Sequence, residues 1–212
     1  MHMIVTYHGN QFFKLQFGDM VVAVNPISKD SKLKTARFGA DIALISINHE
    51  DFNGADQLGF GDKQPFVVTG PGEYEIKGVF IKGFPSESNY GGEKKINTVY
   101  TLNLDSINIC ILGALDSVAL TTEAKEAMNE VDILFVPMGG NGVLSPADSY
   151  KLALQFSPKV IIPMGADTGD KDSLKVFLKE GGGDAVKPID KLTIKKKDLE
   201  GKEAEIVVLS IS

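Results

Sequence analysis

Residues 132–163 constrain this chain more than any other stretch. Asp132–Pro137 is a buried apolar run, Ser145-Pro146-Ala147-Asp148 opens a helix that continues to about Phe156, and Lys159–Pro163 is a second short apolar run. The helix start is well marked, with a Ser that can cap, Pro at the first helical position and an acid at the third. Strand, helix and strand at this spacing make a βαβ crossover, which sets two neighbouring strands parallel. The fold class is therefore α/β.

The first half has a different period. Met3–Tyr7, Phe12–Phe17 and Met20–Val24 are short apolar or alternating runs, punctuated by Gly9-Asn10 and Gly18-Asp19. They predict an antiparallel meander. Ile42–Ile47 reads as a buried strand whose C-terminal end opens a loop. Further strands are predicted at Phe66–Thr69, Glu73–Ile76 and Val79–Phe84, and Val99–Leu104 pairs with Ile107–Leu112 across Asp105-Ser106. Pro85–Lys95, rich in Ser, Gly and charge, reads as an exposed, mobile loop. Helices are expected over Thr121–Val131 and Asp172–Glu180, the latter ended by Gly181-Gly182-Gly183. Leu192–Lys196 and Glu205–Ile211 read as a closing hairpin around Asp198–Gly201.

With 212 residues, 43% of them hydrophobic and no linker-like segment, one domain over 1–212 is expected. A net charge of −6 disfavours nonspecific nucleic-acid binding and docking on anionic membranes. The Lys195-Lys196-Lys197 triplet sits beside Asp198, Glu200 and Glu203 and reads as a charged strand end. Cys110, the single cysteine, lies in the apolar run Ile109–Leu112 and reads as a buried structural thiol. No apolar run approaches the ~20 residues of a membrane span. The N-terminus runs straight into strand-like sequence, so the cytoplasm is the expected location.

Chemistry concentrates after the fourth predicted strand, in Ser46-Ile47-Asn48-His49-Glu50-Asp51-Phe52. Imidazole and carboxylate two residues apart can ligate a metal, exchange a proton, or satisfy a tight turn, with Asp51 capping backbone N–H groups. A catalytic zinc usually takes three protein ligands and an open position for water. Three histidines limit such a site: His2 is at the terminus, His8 ends the first strand, and His49 alone sits where a ligand is expected. Gly139-Gly140-Asn141-Gly142 follows a strand and precedes a helix. Its spacing fits no nucleotide-binding motif, and it reads as a loop over a pocket mouth.

This turn resembles the metal-binding turn of the metallo-β-lactamase superfamily, a buried strand followed by Thr/Ser-His-x-His-x-Asp-His, with Ile47 and Phe52 at two histidine positions. The resemblance covers most of the chain and is nearest to a branch of small bacterial proteins named metal-dependent hydrolases. Ile4-Val5-Thr6-Tyr7-His8-Gly9-Asn10 is similar to that branch's opening strand and Gly-His turn, with Asn10 for His. Val24-Asn25-Pro26 is similar to its Ile-Asp-Pro. Gly70–Glu75, Asn97–Tyr100, Val136–Gly140 and Ile162–Met164 are similar to its other signatures. The resemblance implies a four-layer αββα sandwich, two mixed sheets with outer helices. It also implies six ligand positions, of which His49 and Asp51 keep a ligand while Ile47, Phe52, Ala114 and Gly165 do not.

Two function classes remain open. In one, the protein is a degenerate, metal-free member that binds or scaffolds a small molecule or protein through a pocket of Asn25, Ser46, Asn48, His49, Asp51 and Phe52, with Ala114 and Gly165 opposite. It then needs no cofactor; neutral side chains at the lost positions avoid burying uncompensated charge. In the other, Asp116 and Asp167 swing inward to join His49 and Asp51 in an oxygen-rich site for magnesium, manganese or zinc, and the protein is a hydrolase. Metal-free acid–base chemistry by His49 and Asp51 is a third course. Self-association is compatible with all three.

Overall fold

A computed structural model describes residues 1–168, 172–182 and 186–212. Gly183, predicted to help end a helix, lies outside the described residues. Two mixed sheets pack face to face. The first holds β1 (Met3–Tyr7), β2 (Phe13–Phe17), β3 (Met20–Val24), β4 (Ile42–Leu44), β5 (Phe66–Val68) and β12 (Leu192–Ile194), in the order β12-β1-β2-β3-β4-β5. The second holds β6 (Gly72–Ile76), β7 (Val79–Ser88), β8 (Lys95–Leu104), β9 (Ile107–Ile111), β10 (Ile133–Pro137), β11 (Val160–Met164) and β13 (Glu205–Ile206), in the order β13-β11-β10-β9-β8-β7-β6. The antiparallel meander of β1, β2 and β3, the β8–β9 hairpin across Asp105-Ser106 and the parallel β10–β11 pair follow the expectations from sequence.

The predicted closing hairpin does not form. β12 adds antiparallel to β1 in the first sheet, whereas β13 adds parallel to β11 in the second. The intervening residues turn from one sheet to the other: Lys196 reaches Asp132 at 2.6 Å, and the Asp198 carboxylate accepts the Lys195 N–H. The lysine triplet is absorbed in this turn. Pro85–Lys95 is an exposed loop only in part, with Gly91–Lys94 exposed at its tip. β7 continues to Ser88 in register with β8, and Ser88 and Tyr90 are buried. Ser86 and Ser88 lie in β7, and Gly91 and Gly92 serve the turn between the two long strands.

Helices α1 (Thr122–Ala127), α2 (Pro146–Leu154) and α3 (Ser173–Glu180) cover the outer face of the second sheet. Thr121 and Ser145 cap the first two through the N–H groups of Ala124 and Asp148. α1 is shorter than predicted, ending at Ala127 with Met128 as its cap. The outer face of the first sheet carries a thinner layer. Phe12, Ala23, Ile27 and Ala43 are covered by the segment 33–40 and by a 3-10 turn at Ala55–Leu58, whose Leu58 is buried among them. The main core lies between the sheets, where Phe13 meets Phe135 edge-on at 5.0 Å. β10 and β11 are buried at every residue, as strands sandwiched on both faces require. Among the described residues, no helix is long and apolar enough to cross a membrane.

Candidate functional site

The site lies where β1, β3, β4, β9, β10 and β11 end and their loops converge. The apolar run 42–47 supplies its floor because it changes partners midway. Ile45 still donates to Val68 in the first sheet, at 2.9 Å. Ser46 then donates to the Asn25 side chain at 2.8 Å, and its carbonyl accepts Thr98 N–H from the second sheet at 2.8 Å. This switch ends β4 at Leu44, earlier than predicted, and leads the chain across the sandwich.

Asn25 is fully buried, with its amide near Gln11 at 3.5 Å, so it acts as a bracket between loops. Ser46 Oγ is buried and, among the described residues, has no hydrogen-bond partner. Asn48 is exposed and accepts from Asn53 at 2.9 Å, outside the convergence of the other residues. His49 Nδ1 accepts the Asp51 N–H at 3.1 Å, which leaves Nε2 to carry the proton of the neutral ring. Asp51 accepts the Ser31 hydroxyl and the Tyr90 hydroxyl, the latter at 2.8 Å.

Ile47, Phe52, Ala114 and Tyr90 form one buried apolar cluster, with Val143 against it. The Tyr90 ring stands edge-on to Phe52 at 4.8 Å and to His49 at 4.9 Å. Burial, and then the bond to Asp51, push its hydroxyl well above the ordinary tyrosine range, so the phenol stays a donor. Ala114 is held by its own N–H on the Asn97 side chain, at 2.9 Å. Gly165 has φ of 81°, a left-handed conformation that a β-carbon strains.

Asp116 and Asp167 do not join His49 and Asp51. Asp116 accepts from Asn89 at 2.6 Å. Asp167 takes the Tyr7 hydroxyl and the Asn10 N–H, closing the turn after β1. Asn10 is the link between these parts, since its amide donates to the Asp51 carbonyl at 3.2 Å and its side-chain oxygen accepts from Thr168 at 3.1 Å. Among the described residues, no three His, Cys, Asp or Glu side chains gather as metal ligands would. The donor set thus does not fit the zinc centre that the superfamily resemblance implies: one imidazole and one carboxylate remain, and the latter is occupied by two hydroxyls.

The loop predicted over the pocket mouth does cover it. Gly91 donates to the Asn141 carbonyl at 3.1 Å, which fastens loop 139–143 onto loop 89–92. The space left among Asn10, Tyr90, Asn141, Gly165 and Thr168 is about 10 Å³, room for about one water. Tyr90, Ser31 and Thr168 were missed from the sequence. The tyrosine stood in a stretch whose Ser and Gly content suggested a loop, and Ser31 lies 20 residues from Asp51 among exposed lysines.

Comparison with known proteins places this geometry in context. The model of the beta-lactamase superfamily domain matches residues 4–165. A protein of Bacillus cereus named a metal-dependent hydrolase is 24% identical over 197 residues, covering 78% of this chain and 86% of its own. A crystal structure from Thermotoga maritima, provisionally assigned as a zinc-dependent hydrolase of the metallo-β-lactamase superfamily, is 28% identical with a TM-score of 0.75 and covers all of both chains. A metallo-β-lactamase fold protein of Bacillus subtilis, 9% identical, shares the fold with a TM-score of 0.61, covering 100% of this chain and 98% of its own.

Proposed function

This chain belongs to the beta-lactamase superfamily domain family, and from that premise we propose that it is a degenerate, metal-free member that works by binding or scaffolding. The observation that carries the reading is the packing of Ile47, Phe52 and Ala114 with Tyr90. These are three of the positions at which the family resemblance sets ligands, and here they touch one another through carbon. A hydrolytic zinc needs about three protein ligands and an open position for water. His49 and Asp51 supply two donors, and the space beside them is filled. The partner in this proposal is a small molecule or a protein in the cytoplasm. With a net charge of −6, nucleic acid is a poor candidate.

The names of the relatives favour a second reading, a metal-dependent hydrolase with an atypical site. It requires Asp116 and Asp167 to leave Asn89 and Tyr7 and turn toward His49. Metal uptake separates the two readings. Untagged protein, challenged with zinc and manganese, is expected to hold no stoichiometric metal and to keep its unfolding midpoint. Saturable metal near one per chain, lost in His49→Ala, would reverse the conclusion and direct the search to phosphodiester and lactone substrates.

A further inference from the structure

A fold that has lost its ion still has to satisfy the carboxylate that held it and fill the volume around it. Resting on the metal-free reading, we propose that Tyr90 stands in for the cation: its ring fills the seat and its hydroxyl satisfies Asp51, so that the loops converge there with no ion between them. Four observations converge on this residue. Its ring packs against both the surviving His49 and Phe52, the aromatic at a lost histidine position, at 4.9 and 4.8 Å. Its hydroxyl meets the Asp51 carboxylate at 2.8 Å, and Ser31 supplies the second donor. Its backbone is fixed by the Ser88 hydroxyl at 3.1 Å, and the next residue is clasped by Asn141. About 10 Å³ remains beside it.

The chemistry of the exchange is simple. A metal ion neutralises a carboxylate and crowds its ligands around one point. Two O–H donors satisfy the same lone pairs without adding charge, and a phenol ring supplies the crowding by contact with carbon. Tyrosine combines both in one side chain. Phenylalanine would fill the seat and leave Asp51 short of a donor; serine would donate and leave a hole.

Two measurements test this. In a double-mutant cycle, Tyr90→Phe lowers the unfolding midpoint of the native chain and has little effect in an Asp51→Ala background, because the acceptor of its hydrogen bond is already gone. Additive losses would overturn the assignment. In the second, Tyr90→Gly opens a ring-sized hole. Phenol is expected to raise that variant's midpoint by several degrees and toluene by clearly less, since only phenol carries the donor. Equal responses, including no response to either, would sink the proposal. Where Tyr90→Gly does not fold, the cycle decides alone. Stoichiometric zinc in the native protein would instead count against the metal-free reading, whereas a native chain without zinc whose losses are additive fails only on Tyr90.

Discussion

Phe52 and His8 show how single side chains set the chemistry of this molecule. Phe52 is fully buried and touches Tyr90, so its removal leaves a hole at the centre of the loop convergence. Phe52→Ala is expected to cost about 3–5 kcal/mol in chemical denaturation, the range for large aromatic truncations in a core. His8 packs against Phe12 and Phe38, at 5.2 Å from each ring, with both ring nitrogens buried and, among the described residues, without a hydrogen bond of normal geometry. Burial lowers its pKa from the ordinary imidazole value; the Ser212 backbone opposes this in part, and the charge of Lys14 adds a smaller lowering. The folded state therefore favours neutral His8, while the unfolded chain binds a proton near pH 6.5. Stability from this group is complete above that pH and is lost as the pH falls below it, until the folded protein also protonates. His8→Phe should flatten that part of the stability-versus-pH curve relative to the native chain. An unchanged slope would mean that other groups set the acid limb.

At the scale of elements, the sequence was most legible where neighbours in the chain are neighbours in space. The cap at Ser145, Pro146 and two fully apolar strands announced the β10–α2–β11 unit, and short turns announced the meander. The C-terminal strands were misread as a hairpin because their partners, Met3–Val5 and Val160–Ile161, lie far away in sequence. Nothing local distinguishes two strands that pair with each other from two that join different sheets. The site was legible in its losses, since Ile47, Phe52, Ala114 and Gly165 each stand in an otherwise recognisable motif. Its replacement was not legible, because Tyr90 contributes through a hydrogen bond to a residue 39 positions away. The same loop pair offers a test. Gly142 has φ of 85°, and a β-carbon there would stand 2.2 Å from the Asn89 carbonyl oxygen. Gly142→Ala should therefore force loop 139–143 off loop 89–92, at a cost of at least ~1–2 kcal/mol for the backbone conformation alone. Amide exchange at Gly91, which donates to Asn141, should quicken by more than exchange in β10, which rises only as far as global stability falls; protection at Gly91 as in the native chain would refute the clash.

The whole molecule is a two-sheet sandwich with its weight on one side, three helices over the second sheet and little more than chain segments over the first. Cys110 lies in β9 under the helical layer, fully buried, and burial raises its thiol far above the ordinary range. It should resist a thiol reagent in the native state and react only when the helices and sheet separate. Its labelling rate should follow global unfolding as denaturant rises; fast labelling in the absence of denaturant would mean that this layer opens by itself. One margin of the second sheet is β6, read Gly72-Glu73-Tyr74-Glu75-Ile76. If a second copy extended the sheet by pairing its own β6 antiparallel about Tyr74, Glu73 would face Glu75 of the other molecule twice over, and like charges directly opposite repel. The border strand thus discourages its own mirror image, keeping a seven-stranded sheet from becoming the start of a ribbon.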